Sequence, residues 1–312
     1  MTDNLDAFKG IIPAFYACYD EDGEVDTEAV KELTSYFIKK EVKGIYVCGS
    51  SGECIYQSVE DRKKTLEAVM SVARGRLTVI VHVACNNTKD SMELAAHAES
   101  LGVDAIASIP PIYFHLPACS ISDYWNDISS AAPNTPFIIY NIPQLAGTAL
   151  SEALLEKMLE NSNVIGVKNS SMPVQDIQVF KAAGNKKRDS FIVFNGPDEQ
   201  LVSGLTIGAE AGIGGTYGAM PELFLKIYDC VLHNDIRKAR EIQYAVNSII
   251  CKLCSGYGNM YAMIKEVLRI REGLDIGGVR KPLTDINEND RTLAREASEM
   301  IDEAITKYCW ED

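Results

Sequence analysis

Short apolar runs recur along the chain, each followed by a stretch in which apolar residues return at helical spacing. The runs are GIIPAFYA (10–17), GIYV (44–47), TVIVHV (78–83), AIASI (105–109), FIIY (137–140), VIGVK (164–168), FIVFN (191–195) and AGIGG (211–215). Most are apolar at successive positions instead of alternating, as parallel strands covered on both faces must be. The segments between them are amphipathic. One begins at Ser58 and sets Val59, Arg62, Leu66, Val69 and Ala73 at helical spacing, with Ser58 and Asp61 placed as a capping box. Others are predicted to start at Asp26/Thr27, Thr88, Ser122, Ser151 and Val174. Eight strand–helix repeats with short loops predict an α/β fold, a (β/α)8 TIM barrel. A doubly wound open sheet shares the alternation, and the count of eight favours the barrel.

The repeat closes near residue 230, and the pattern beyond it is helical only. Ala239, Ile242, Val246 and Ile249 make one stripe; Met260, Met263, Ile264, Val267 and Leu268 a second; Leu293, Ala297, Met300, Ile301 and Ala304 a third. Gly273, Gly277, Gly278 and Pro282 interrupt the chain between the last two. The prediction is a barrel carrying the active site over residues 1–230 and a C-terminal helical extension over 231–312.

Composition narrows the function classes. The 312 residues hold 30 Lys+Arg against 44 Asp+Glu, a net charge of −14. A nucleic-acid partner needs clustered basic residues, and an anionic membrane surface repels such a chain, so neither partner is expected. The apolar stretches fall far short of the roughly 20 residues that span a bilayer. The start, MTDNLDAFKG, lacks the basic and apolar regions of an export signal, and the nine cysteines are an odd number. Both point to a cytoplasmic protein with reduced thiols. Cys251 and Cys254 form a C-x-x-C inside an apolar helical pattern, which favours burial over redox or metal chemistry. His82, His97, His115 and His233 show no metal-ligand spacing, so no metal is expected.

Barrels of this kind carry their chemistry at the C-terminal ends of the strands. That rule selects Cys48-Gly49-Ser50-Ser51-Gly52-Glu53, Tyr140, Lys168 and Gly196-Pro197-Asp198-Glu199. Lys168 ends the run Val164-Ile165-Gly166-Val167. Buried at the barrel top, it would be a neutral amine able to attack a ketone; the alternative is a lysine that snorkels to solvent or pairs with a carboxylate. Tyr140 ends the preceding strand and could shuttle a proton there, or be a core tyrosine. The Gly/Ser turn offers N–H groups and hydroxyls to a carboxylate or phosphate without net positive charge, although an ordinary connection explains it equally well.

Four motifs together, Gly49-Ser50-Ser51-Gly52-Glu53, Tyr140-Asn141-Ile142-Pro143, Gly166-Val167-Lys168 and Asn195-Gly196-Pro197-Asp198-Glu199, resemble the dihydrodipicolinate synthase/N-acetylneuraminate lyase family of class I, Schiff-base aldolases acting on pyruvate. The resemblance covers roughly residues 8–230. It implies that Lys168 is the Schiff-base lysine and Tyr140 the proton relay, and that Ser50 and Ser51 bind the carboxylate of a small 2-keto acid. It further implies that Tyr113 serves a neighbouring subunit's site, so that the protein is a homo-oligomer, commonly a tetramer. No cofactor is implied, since the imine itself is the electrophile.

Within the family the chain is similar to the sialic acid lyases. Leu145 stands where the synthases place an arginine for a second carboxylate, and leucine cannot pair one. Gly196, Asp198 and Glu199 match positions at the substrate's sugar end, the two acids as acceptors of sugar hydroxyls, and Ser170 matches a substrate-contacting threonine. Gly215 replaces a sugar-contacting serine, and Gly218 stands where asparagine is common. The expected reaction is cleavage of N-acetylneuraminate to pyruvate and N-acetylmannosamine. The alternatives are dihydrodipicolinate synthesis or an aldolase for another sugar-derived 2-keto acid. A phosphate-binding isomerase using Gly212–Gly218, and a barrel without catalysis, are the readings from other classes.

Overall fold

The apolar runs form eight parallel strands: β1 (Gly10–Pro13), β2 (Gly44–Val47), β3 (Thr78–His82), β4 (Ala105–Ser108), β5 (Phe137–Asn141), β6 (Val164–Asn169), β7 (Ile192–Asn195) and β8 (Ala211–Gly214). This is a computed structural model, and it describes residues 5–310. Residues 1–4 and 311–312, the outer ends of the two expected segments, lie outside the described residues. Strands β2 to β8 pair in sequence order and β8 pairs with β1. The ring closes through a parallel bridge between Ala14 and Tyr46, with the Phe15 N–H donating to the Tyr46 carbonyl at 2.9 Å. The open sheet is thereby excluded and the (β/α)8 barrel holds. β1 is shorter than its apolar run. Past Pro13, Tyr16 leaves the ladder and its hydroxyl donates to the Gly215 carbonyl at 2.8 Å.

Alternate strand residues fill the barrel. Ile138 and Tyr140 of β5, Ile192 and Phe194 of β7, and Ala211 and Ile213 of β8 belong to an inner cluster that Leu5 and Phe8 also join. Their neighbours Ile139 and Val193 pack outward against the helices. Double coverage explains why the strand sequences do not alternate in polarity.

The predicted caps are mostly present. Asp26 caps the helix Thr27–Lys39, Ser58 makes the capping box of Val59–Ala73, and Ser151 caps Glu152–Met158. The helix expected from Ser122 instead runs Ala118–Ala131, four residues earlier. Pro117 precedes it without a side-chain cap, and the Ser122 hydroxyl turns back onto the Cys119 carbonyl within the helix. Arg62, placed on an apolar face by its spacing, is buried; its guanidinium donates to the carbonyls of His82 and Ala84 at the end of β3.

The barrel's last helix, Pro221–Leu232, is followed by Ile236–Leu253, Met260–Glu272 and Glu288–Cys309. Their stripes are buried, with Met260, Leu293 and Met300 half-buried at the margins. Burial of Cys251 and Cys254 does not hold: both are exposed. The inward face of their helix is Val246, Ile249, Ile250 and Leu253, and residues 251 and 254 share a different face. Among the described residues no cluster of His, Cys, Asp and Glu could hold a metal ion, and no helix is long and apolar enough to cross a membrane.

The extension is tied to the Gly/Ser turn by one buried ion pair. Glu53 adopts a left-handed φ of 53° and accepts from Lys265 Nζ at 3.0 Å and from the Arg280 N–H at 2.8 Å. The two side chains are 3% and 0% exposed for Lys265 and Glu53. Breaking a buried pair from one side strands the other charge. Glu53→Gln should therefore lower the unfolding free energy by roughly 3–5 kcal/mol in urea titrations. A loss under about 1 kcal/mol, the range of exposed pairs, would show that this contact is solvated.

Candidate active site

Register places the two leading residues side by side. Tyr140 of β5 pairs with Lys168 of β6, which pairs with Phe194 of β7. Lys168 and Tyr140 are only 4% and 3% exposed. The strand ends just past them are locked by asparagines: Asn141 Nδ2 donates to Asn169 Oδ1 at 2.7 Å, and the Leu150 N–H donates to Asn141 Oδ1 at 2.9 Å.

Above them opens a cavity of about 250 Å³ at the C-terminal ends of the strands. Ser50, Ser51, Tyr140, Lys168, Ser170, Gly196, Asp198 and Glu199 all line it, as do Leu145 and Gly215. A larger cavity, about 490 Å³, lies at the opposite end of the barrel beside Leu5, Asp104 and Arg188, with neither the lysine nor the serine pair. Size does not select the site here; the side chains do. Tyr113 is outside the cavity. It is 87% exposed at a φ of 85°, its ring edge-on to Phe114.

Burial sets the protonation states. It pushes Lys168 down to about 7, with the charge of Asp198 opposing. A substantial fraction of the amine is therefore neutral and nucleophilic at neutral pH. Burial pushes the Tyr140 phenol up to about 12, opposed by hydrogen bonds with Ser50 and Ser170, so at neutral pH it is a phenol and not a phenolate. Asp198 is pushed up to about 6 by burial against its bonds from Thr216. His82, buried on β3, is held well below its usual range by burial and is neutral; its Nδ1–H donates to the Cys48 carbonyl at 3.0 Å.

Two glycines are fixed by close approach. A Cβ on Gly196 would fall 2.0 Å from Ser170 Oγ, and one on Gly49 would fall 2.6 Å from the Tyr46 ring. Gly196 thus makes room for the Ser170 hydroxyl. Gly218 does not line the cavity: Tyr16 fills the space an asparagine side chain would need. Gly215 does face it, and a Cβ there would lie 3.3 Å from Ser51 Oγ and 3.7 Å from the Tyr261 hydroxyl.

Tyr261 was not among the predicted site residues. It comes from the extension's helix Met260–Glu272, lines the cavity with Met260 and Ile250, and hydrogen-bonds Ser51. Thr216 was also missed. Its N–H and hydroxyl each donate to Asp198 Oδ2 at 2.6 Å, while the Gly215 N–H donates to Oδ1 at 3.2 Å. Asp198 therefore anchors the turn after β8 as well as facing the cavity, while Glu199 sits exposed at the rim. Nothing in the spacing of residues 259–268 distinguishes Tyr261 from a core aromatic; only the packing of the extension onto the barrel mouth does.

A model of the dihydrodipicolinate synthetase family matches residues 7–300. The chain belongs to that family. Among its curated relatives is the N-acetylneuraminate lyase of Mediterraneibacter gnavus, 64% identical over 305 residues, 98% of this chain and 96% of the relative. The N-acetylneuraminate lyase of Rhizobium meliloti is 33% identical over 93% of this chain and 94% of its own length. Among solved structures, wild-type sialic acid aldolase of Ruminococcus gnavus superposes with a TM-score of 0.95 at 64% identity, covering 97% of this chain and 99% of that one. A dihydrodipicolinate synthase structure superposes at 0.83 with 26% identity, over 94% and 98% of the two chains. As a member of this family, the protein is a carbon–carbon lyase.

The lysine's environment is directly measurable. Competitive acylation followed by mass spectrometry should give Lys168 a labelling midpoint near pH 7, with reactivity rising as pH rises because only the neutral amine reacts. A midpoint near 10, the ordinary lysine range, would show that the amine is solvated.

Proposed function

We propose that the protein is a class I aldolase that cleaves N-acetylneuraminate to pyruvate and N-acetylmannosamine. The observation that carries the reading is the buried amine of Lys168, a substantial fraction of it neutral, beside the Tyr140 phenol and sharing a cavity with the hydroxyls of Ser50 and Ser51. The likeness to lyases along almost the whole chain supports the choice of substrate.

In this reading Ser50, Ser51 and the N–H groups of their turn hold the carboxylate of the open-chain keto acid. Lys168 Nζ attacks the C2 carbonyl, and loss of water leaves a protonated imine. The C4 hydroxyl gives up its proton, relayed by Tyr140 toward the substrate carboxylate, and the C3–C4 bond breaks. Its electron pair flows to the imine nitrogen, forming an enamine and releasing the sugar aldehyde. Protonation at C3 and hydrolysis then free pyruvate and return the amine. Ser170 and Glu199 meet the sugar hydroxyls, with Asp198 both fixing the β8 turn and accepting from them. Tyr261 adds a hydroxyl beside Ser51 and Gly215.

Condensation with aspartate semialdehyde is the second reading. Against it stands Leu145, 63% exposed at the cavity rim and unable to pair a second carboxylate. The exposed Tyr113 fits a residue completed by another subunit, and we place the protein in a homotetramer on that basis. Nine unpaired cysteines fit a reducing cytoplasm.

Incubation with pyruvate and borohydride should add one reduced pyruvyl group to Lys168, and N-acetylneuraminate should release pyruvate in a coupled assay. Lys168→Ala should abolish both with the fold intact. No adduct on Lys168 in the unsubstituted protein would overturn every aldolase reading; an adduct without sugar cleavage would move the substrate to another 2-keto acid. Leu145→Arg should depress kcat/KM for the sugar, and unchanged kinetics would show that residue 145 does not meet the substrate. Tyr261→Phe should raise KM by roughly three- to tenfold, the worth of one hydrogen bond, and leave the Lys168 labelling midpoint in place.

A further inference from the structure

Tyr46 takes no part in the steps above, yet its ring lies directly against the reacting nitrogen. It projects from β2 into the barrel, fully buried. Lys168 Nζ lies over its ring at 4.1 Å from the centroid and over the Tyr140 ring at 3.7 Å. The two rings meet edge to face, 5.7 Å apart at 80°. Neutral His82 stands against both, 6.0 Å from Tyr140 and 6.4 Å from Tyr46.

Two further observations describe how this ring is seated. The Tyr46 hydroxyl is buried without a hydrogen-bond partner, which disfavours tyrosine over phenylalanine on stability grounds alone. The serine-bearing turn is also cut back to glycine at Gly49, where a Cβ would fall 2.6 Å from Tyr46 Cε1. The turn that meets the substrate carboxylate is thus shaped around this ring.

We propose that Tyr46 is a further catalytic residue whose ring face, with that of Tyr140, forms an aromatic cage that stabilises the cationic imine on Lys168. The proposal rests on the Schiff-base reading. That chemistry makes two opposed demands on one nitrogen: neutral before attack, positively charged afterwards. A carboxylate in direct contact would favour the ammonium and could take the imine's proton. Among the described residues Lys168 has no ion pair, and the charged or titratable groups acting on it are Asp198 after β7 and Cys54 after β2. His82 on β3 feels its charge in turn. An aromatic face is dry enough to keep the amine neutral and electron-rich enough to attract the cation once it forms, and it cannot accept the proton.

The test replaces the ring's electrons while keeping its shape. Tyr46→Leu should lower kcat for sugar cleavage roughly tenfold, within the range of a desolvated cation–π contact, and Tyr46→Phe should restore it. Progressively fluorinated phenylalanines at position 46, introduced by nonsense suppression, should lower kcat stepwise and move the Lys168 labelling midpoint to lower pH, because the cation loses support. A kcat and midpoint that do not respond to fluorination would overturn the proposal and leave Tyr46 as core filling. Failure of Tyr46→Phe to restore the rate would overturn it equally, since the hydroxyl would then be what matters. Pyruvate trapping on Lys168 in the unsubstituted protein separates these outcomes from failure of the Schiff-base reading itself.

Discussion

Everything at the barrel mouth depends on keeping one amine out of water. A lysine in solvent is an ammonium at neutral pH and has no lone pair to offer. Lys168 escapes that state because β6 ends inside the barrel and its neighbours across the ladder, Tyr140 and Phe194, are large and apolar-faced. Dryness then restricts the rest of the design. A fixed cation for an anionic substrate would share the same low-dielectric space and compete with the amine for charge. The cavity offers hydroxyls of Ser50, Ser51, Ser170 and Tyr261 instead, which attract a carboxylate without a formal charge of their own. The net charge of −14 therefore describes the outer surface and says little about the cavity.

Most of this arrangement was legible in the chain. Eight buried parallel strands leave an unmistakable imprint, because residues on both faces must be apolar. A polar residue ending such a run, as Lys168 and Tyr140 do, is visible against that background. The Ser58 capping box and the three C-terminal stripes follow from equally local rules. What escaped was set by tertiary contact. Tyr261 reaches the cavity only because the extension folds across the barrel mouth, and its spacing resembles any helical aromatic. Thr216 is defined by Asp198, eighteen residues away, through bonds no local pattern encodes. The misplaced start at Ser122 has the opposite origin: a serine that matched the cap rule was satisfied inside the helix, and Pro117 set the boundary. Cys251 and Cys254 show that an apolar window does not say which of its residues face inward.

Glycine has a different meaning at different positions of the site. At Gly49 and Gly196 the missing side chain is volume lent to a neighbour, Tyr46 in one case and Ser170 in the other. At Gly215 the space opens toward the cavity, where Tyr261 and Ser51 border it. Departures from a family pattern are thus interpretable only with the neighbour in view. Gly218 gives its space to Tyr16, behind the cavity wall, and Gly215 leaves its space to the site.

The link from Glu53 to Lys265 and to the Arg280 backbone joins residues more than two hundred positions apart. Synthesis is vectorial, so the strands that carry Lys168 and Tyr140 leave the ribosome well before the residues that clamp the Ser50–Ser51 turn. A barrel still attached to the ribosome has its lysine but neither the clamp on that turn nor the Tyr261 wall. Assembly is thereby ordered in time: the Lys168 amine gains its finished surroundings only after residues 265–280 have emerged, well after its own strand has been made.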